Sequence, residues 1–316
     1  MTRVLVLGDL NLDVRAEVPQ DVPWGEEART LVQVTPGGSA GNFARAARRE
    51  GADVLFIGCV GDDAIGDLLV ESLETLGIET CVKRATGPSG TILALWKGVE
   101  RTMFCSRGAN DGLDAAWIEE ALFVKADHLH LSGYAFLSST QRTAARRAIA
   151  LARKRGLTIS VDPPPASLIR DFGVTAFRDE LASVNWIFPN LEEGRTLSGK
   201  RAPERIVDSL AQSFAVGALT LGGEGSLAWS GSKRSHAKVT TIATADTTGA
   251  GDAFAAGFVV MYLRTHDIQQ AVERGNGLAT QLLVDSDRNE PAQPTGIPAS
   301  SAGNLDRVDD EVRGQP

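Results

Sequence analysis

A chain of 316 residues with 43% hydrophobic and 23% charged side chains has the composition of an ordinary soluble globular protein, long enough for an α/β core with an excursion. Its formal net charge of −8 argues against a nucleic-acid-binding surface, and its longest near-apolar helix, AFAAGFVVMYL (253–263), is far short of a bilayer span. Neither nucleic acid nor membrane is therefore an expected partner. Three cysteines without a CxxC pair fit a reducing cytoplasm, where the protein is expected, and four histidines show no HExxH spacing.

The chain opens on MTRVLVLGDLNLDV, whose short apolar run ends at Gly8-Asp9 and predicts a first strand rather than a signal peptide. Residues 15–34 carry two prolines and end in a strand-like run. VLFIG (54–58) predicts the next buried strand. Residues 89–108 read as a hairpin, TILALWK and RTMFCS about a turn at Gly98. Together 15–34 and 89–108 predict a small β-layer standing off the main sheet.

HLHLSG (128–133) alternates as a strand face does, a better account of His128 and His130 than a zinc site. STQRTAARRAIALARKRG (139–156) predicts a helix with Gly156 at its C-cap. LTISVD (157–162), WIFPN (186–190) and ALTLGG (218–223) predict three more strands. Such alternation argues for a doubly wound, mostly parallel sheet with helices on both faces. In such sheets ligands bind beyond the carboxyl ends of the strands. Those ends carry Asp9, Ser132, Asp162, Asn190 and Thr220. Residues 288–316, rich in Pro, Ala, Ser, Gly and charge, read as a flexible tail.

Two phosphate motifs can be set aside. GRTLSGKR (194–201) approaches a P-loop, but Arg201 stands where a hydroxyl should hold magnesium, and no strand precedes it. GAGDAFAAG (249–257) starts like a dinucleotide fingerprint, yet Phe254 occupies the position of its last glycine. What remains is Gly-Ala-Gly-Asp entering a helix. Small residues let an anion approach the first-turn amides, and the helix dipole favours it. A carboxylate there has a task if phosphoryl transfer to an alcohol occurs, since Asp252 can orient the hydroxyl and finally take its proton. The helix terminus is expected to lower its pKa. The plainer alternative is an aspartate that caps the helix.

DTTGAGDAFAAGF (246–258) resembles the C-terminal signature of the PfkB/ribokinase family of carbohydrate kinases. GGSAGNFARAARREGADVLFIGCVGDDAIG (37–66) resembles its N-terminal signature, with paired glycines, an asparagine, an alanine-rich helix, a strand and GxVGxDxxG. GDLNLD, PNLEE and TLGGEG also fall where that family places them, so the resemblance covers roughly residues 3–285. It implies a ribokinase-like α/β kinase domain (1–14, 35–88 and 109–287) with a small β-sheet lid (15–34 and 89–108).

It further implies Asp252 as base and the amides of Gly249, Ala250 and Gly251 as an anion hole. Asp13, Gly37, Gly38 and Asn42 would hold acceptor hydroxyls, and Arg101, in the lid hairpin, could reach an acceptor carboxylate or phosphate. Asn190 and Glu193 match the family's NxxE motif, which helps place Mg2+ through water. Thr220, Gly222 and Gly225 match the nucleotide loop, Asn276 falls near the adenine edge, and Asp246 and Thr248 fall where many members bind a monovalent cation such as K+. The implied reaction is ATP-dependent phosphorylation of a hydroxyl, expected to be primary, on a small sugar or sugar acid, by a homodimer paired through the lid. Plainer alternatives stand beside each residue: Asp13 could close the first strand, Asn42 could cap a helix, Asn190 and Glu193 could form a capping box, and Arg101 could be a solvated strand arginine. A nucleoside kinase, stacking a base on Trp24, Phe43, Trp96, Met103 or Phe104, is the alternative within the fold. A non-catalytic sensor is the alternative outside catalysis.

Overall fold

The computed structural model describes residues 2–19, 22, 23, 25–98, 100–239 and 247–289. In chain order it begins with β1 (Arg3–Leu7), β2 (Asn11–Glu17), β3 (Val32–Gly37), α1 (Ser39–Arg49), β4 (Asp53–Gly61), α2 (Ala64–Glu74) and β5 (Glu79–Ala85). There follow β6 (Gly90–Lys97), β7 (Glu100–Ser106), β8 (His128–Ser132), α3 (Ser139–Lys154), β9 (Thr158–Asp162), α4 (Ala166–Phe172), α5 (Val174–Glu180) and β10 (Trp186–Ile187). The remainder comprises α6 (Leu191–Ser198), α7 (Pro203–Leu210), β11 (Val216–Thr220), β12 (Ser226–Ser230), β13 (Lys233–Ala237), α8 (Ala250–Thr265) and α9 (Ile268–Asn289).

A nine-stranded sheet in the order β13-β12-β11-β10-β9-β8-β1-β4-β5 divides the molecule. From β5 to β11 the neighbours are parallel, and β12 and β13 close the far edge antiparallel. Central strands of such a sheet are covered on both faces, which is why their sequences are apolar without alternation. In β1, Leu5 and Leu7 join one core with α3 to α7, while Val4 and Val6 join the other with α1, α2, α8 and α9. All four are 0% exposed.

Strand β8 is the exception that alternates, and it does so for a polar reason. Leu129 and Leu131 enter the first core, while His128 and His130 face the other side, fully buried. Both ring nitrogens of His128 lie 2.7 Å from hydroxyls, Thr158 Oγ1 and Ser160 Oγ. His130 Nδ1 lies 2.8 Å from Ser160 Oγ, and its ring stacks on Phe43 at 3.5 Å between centroids. Phe43, expected as one of the groups able to stack on a ligand base, is instead a core residue of α1 at 0% exposure.

The second sheet has the order β3-β2-β6-β7. It starts earlier than residue 15 and extends past residue 34, because Asn11 already pairs with both Gly37 and Gly90. Asp13 therefore belongs to this small sheet, opposite Thr35 and Ile92, rather than to the end of the first strand. The two sheets are tied where the chain crosses between them. Asn110, 0% exposed, accepts from the Leu10 amide at 3.0 Å and donates to the Leu10 carbonyl at 3.0 Å and to Asn11 Oδ1 at 2.9 Å. Asp63 caps α2 through the Gly66 amide and also accepts from the Ser89 amide (2.8 Å) and hydroxyl (2.6 Å), just before β6. Helix α9 runs to Asn289, and the remainder of the expected tail lies outside the described residues.

Burial holds His128 and His130 neutral, pushing His128 down to about 3 and His130 well below the usual range. The unfolded chain takes up these protons near 6.5, so their linked stability is complete above that pH and lost as pH falls below it. At pH 5 the loss from His128 is about 2 kcal/mol. Imidazole 15N shifts of both residues should stay those of the neutral ring from pH 8 to pH 5. A titration midpoint inside that window would contradict the assignment.

Candidate active site

Helix α8 begins where the chain can approach closely. Gly249 is its N-cap in the left-handed region (φ 80°), and no side chain among the described residues caps the helix. The first-turn amides of a helix lack intrahelical partners, so this end faces outward with unsatisfied donors. The Ala250 amide is an exception, since it donates to the Thr247 carbonyl at 3.2 Å. Of the three amides expected to form an anion hole, this one is thus already engaged.

Asp252 sits in that first turn but does not cap it. Its Oδ1 accepts from Ser39 Oγ at 2.8 Å and its Oδ2 from Asn42 Nδ2 at 3.0 Å, both on α1. Burial pushes its pKa up to about 6, and nearby Asp9 adds to that. The bonds from Asn42 and Ser39, and one shared with Asp162, pull in the opposite direction. The expected lowering by the helix terminus is overturned, because desolvation outweighs it. Asp162, at the carboxyl end of β9, is pushed well up by burial and by the facing charges of Asp252 and Glu193.

The residues expected on the acceptor side lie at the root of the small sheet. Asp13 is 7% exposed, with Arg15 Nη2 at 3.7 Å. Burial raises it to about 6 against the pull of Arg15, with Asp9 adding and Arg45 subtracting. Its carboxylate lies over Gly37 so closely that any Cβ there would overlap it. Gly38 has φ 90°, and a Cβ on it would come 2.5 Å from the Asp9 carbonyl oxygen. Paired glycines are required here for those two reasons. Asp9 itself is 3% exposed, accepts from Asn11 Nδ2 at 3.1 Å on one oxygen, and leaves Oδ1 buried with no partner among the described residues. Arg101 is not an isolated strand arginine: its Nη1 donates to Thr248 Oγ1 at 3.0 Å, joining β7 to the loop before α8.

On the other side of α8 the NxxE pair forms a complete capping box. Asn190 Oδ1 accepts from the Glu193 amide at 3.0 Å, while Glu193 accepts from the Asn190 amide at 2.9 Å and its Nδ2 at 2.5 Å. Burial pushes Glu193 up to about 8, opposed by those two bonds and reinforced by Asp252. The capping role and a site role are therefore compatible in one side chain. Thr220 ends β11 and bridges to Asn190, bringing the nucleotide-loop residues beside this pair. Gly222 and Gly225 both have positive φ, 61° and 90°, as the turn after β11 requires.

Asn276 is bonded inside the protein: its Oδ1 accepts from Ser226 Oγ at 2.5 Å and its Nδ2 donates to the Ala237 carbonyl at 3.0 Å. It links α9 to β12 and β13 with an amide that keeps one lone pair and one N–H beyond these two bonds. Asp246 lies outside the described residues. Sequence reasoning missed Ser39, Asn11, Arg45 and Asn110 as parts of this region. Ser39 lay inside the quoted GGSAGN motif, and Asp9 and Asp162 were flagged as strand ends. Arg45 lay inside the same quoted 37–66 stretch without being singled out, and nothing in the sequence marked Asn110.

The family model described as pfkB family carbohydrate kinase matches residues 1–294. The ribokinase of Haemophilus influenzae is 30% identical over 87% of this chain and 90% of its own length. The adenosine kinase of Sinorhizobium meliloti superposes with a TM-score of 0.81 at 22% identity, covering 90% of this chain and 94% of that one. An Escherichia coli protein solved in complex with ATP and Mg2+ superposes at 0.80 with 20% identity, over 90% and 93% of the two chains. The fold is ribokinase-like, and the molecule is a phosphotransferase with an alcohol acceptor, a carbohydrate or nucleoside kinase. The chain belongs to the pfkB family of carbohydrate kinases.

If the Asn276 amide is structural, Asn276→Ala should destabilise the fold by roughly 1–3 kcal/mol, the cost of stranding buried partners. Chemical denaturation reads this directly. Unchanged stability with a raised nucleotide KM would show the amide to be a ligand contact instead.

Proposed function

We propose that this kinase transfers the γ-phosphoryl group of ATP to a hydroxyl, primary in the expected case, of a small sugar or sugar acid, with Asp252 as base. The observation that carries the reading is Asp252: a buried carboxylate beside an uncapped helix end, oriented by two donors from another helix and held near 6. A base poised about one unit below neutral pH is ionised when needed yet still basic enough to take the acceptor proton.

Asp13 and the glycine pair 37–38 make the acceptor floor. The Asp13 carboxylate accepts from acceptor hydroxyls, and Asp9 Oδ1 is a buried acceptor in want of a donor beside it. Asn42 is already on Asp252, so its part is to aim the base, and an acceptor contact is secondary. The Gly249 and Gly251 amides receive the phosphoryl oxygens. A Cβ at Gly251 would lie 3.9 Å from Asp162 Oδ2, so a larger side chain there would narrow the space between the helix end and β9.

ATP and Mg2+ fit the donor set, which is all oxygen and amide. Glu193 and Asn190 would hold the metal through water, and a divalent cation would favour the ionised form that burial disfavours at Glu193. Bound Mg2+ supplies neutralisation of phosphate charge. A monovalent cation at Asp246 and Thr248 belongs to the same reading, and kcat measured with K+ against a bulky organic cation tests it. The small sheet acts as a lid whose tip, through Arg101 and Thr248, meets the loop carrying the anion hole. Closure excludes water from the transfer. Of the groups that could stack on a nucleoside acceptor, Phe43 is taken up by His130 in the core, whereas Met103 and Phe104 are exposed on the small sheet and keep that alternative.

Asp252→Asn should lower kcat by roughly 10²–10⁴-fold with ATP affinity nearly unchanged. The assay is Mg2+-dependent ADP release over ribose, fructose, 2-keto-3-deoxygluconate and adenosine. Turnover kept by the variant would remove Asp252 as base. In the wild type, kcat should fall as pH drops through about 6, where the carboxyl takes up the proton and can no longer accept one.

We infer also that two copies pair through the outer face of the lid. Val34, Val14, Leu93 and Phe104 lie in register across its four strands, and Val34 and Phe104 are 54% and 57% exposed. Edge-to-edge apolar rows of this kind mark interaction sites. Light scattering should give a dimer for the wild type and a monomer for Phe104→Asp; a wild-type monomer at high concentration would dismiss the pairing.

A further inference from the structure

Helix α1 is alanine-rich, yet between Ala44 and Ala46, both buried, it places an arginine. The Arg45 guanidinium is largely withdrawn from water, and burial lowers it to about 10. Withdrawing such a group is expensive unless its donors are used. Both ends of its fork find neutral oxygens: Nη1 lies 3.3 Å from Asn42 Oδ1, and Nη2 lies 3.2 Å from Ser72 Oγ on α2. Ser72 in turn donates to the Leu69 carbonyl at 2.6 Å, which fixes the anchor. The path is open because position 41 is a glycine. A Cβ there would sit 3.2 Å from Arg45 Nη1 and 2.7 Å from Leu10 Cδ2.

An amide side chain has two ends of nearly equal shape, and only one can donate. Asn42 must present Nδ2 to Asp252, and the reversed amide would set oxygen against oxygen. Arg45 offers donors only, so it selects the orientation in which Oδ1 faces it and Nδ2 faces the carboxylate at 3.0 Å. We propose that Arg45 is a positioning residue for phosphoryl transfer, holding the Asn42 amide so that it aims the Asp252 carboxylate at the acceptor hydroxyl. The chain of contacts runs Ser72, Arg45, Asn42, Asp252, with Ser39 completing the second oxygen. The acidic groups near the guanidinium are Asp13 from β2 and Asp252 from α8, and each gains from the nearby positive charge.

The proposal rests on Asp252 as the base, and a double-mutant cycle separates the two. With the acceptor that turns over fastest, Arg45→Met should lower kcat by roughly 10- to 100-fold while both KM values stay within about twofold. Arg45→Lys, which keeps one donor, should recover part of that loss. In an Asn42→Ala background, Arg45→Met should do little more, because its effect passes through the amide. Multiplicative losses in the double variant would overturn the proposal, as would an effect confined to acceptor KM, which would make Arg45 a substrate contact. Thermal unfolding of each variant guards against a global defect, and Ser72→Ala, remote from the acceptor, should lower kcat in the same direction by a smaller factor. Full turnover by Asp252→Asn would instead defeat the base assignment, whatever the cycle gives.

Discussion

A carboxylate leaves water only if donors are waiting for it, and for Asp252 they wait on a different helix. Ser39 and Asn42 stand in the first turns of α1, 213 and 210 residues away in the chain. These two bonds fix the amino ends of α1 and α8 against each other. The small residues of both helices allow it, for Ala40, Ala44, Ala253 and Ala256 are all buried at the seam between them and the sheet. Everything that makes the site follows from that seam: the uncapped end of α8 faces outward, and the glycine pair before α1 lies under Asp13. Phe43 and Phe254 fill the space below.

The small sheet inherits its position from the same place. Its strands emerge from the carboxyl end of β1 and from the turn after β5, and each exit is clamped by one polar side chain. Asn110 holds Leu10 and Asn11, and Asp63 holds Ser89. Room for these clamps is made by glycine. A Cβ on Gly90 would overlap Asn11 and Asn110, and one on Gly61 would come 2.7 Å from the Ser89 amide nitrogen. The GxVGxDxxG stretch thus has a mechanical meaning: its aspartate and glycines set the angle at which the second sheet stands on the first. Because Asp13 is only three positions beyond Leu10, that angle also decides where the proposed acceptor floor lies.

Much of this was legible in the chain. Six apolar runs announced β1, β4, β8, β9, β10 and β11, since buried parallel strands need side chains apolar on both faces. Strands β5, β12 and β13 gave no such signal. ETCVKRA and KRSHA are edge strands with one wet face, and SLAWS has serines at both ends that break any apolar run. The site was legible where it is contiguous, as in GAGD and GGSAGN. It was not legible where partners meet across the fold, as for Ser39 with Asp252 or Ser226 with Asn276. Direction of charge was the other gap. A helix terminus can be read from sequence, but the desolvation that overrides it at Asp252 depends on what covers the residue.

Desolvation also resolves an apparent contradiction in the site. Asp9, Asp13, Asp162, Glu193 and Asp252 converge on the region proposed to receive phosphate, whose charge they would repel if all were ionised. Burial, with repulsion from the facing carboxylates, pushes Asp162 well above the usual carboxylate range and Glu193 up to about 8, so both resist ionisation more than Asp252, near 6. Two facing carboxyls such as Asp162 and Asp252 titrate as a pair, and the proton stays on the member with fewer donors. Ser39 and Asn42 settle which member that is, by serving Asp252. The same pair of bonds that locks two helices therefore also favours the negative charge on Asp252 over its neighbour Asp162, beside the helix end proposed to receive the anion.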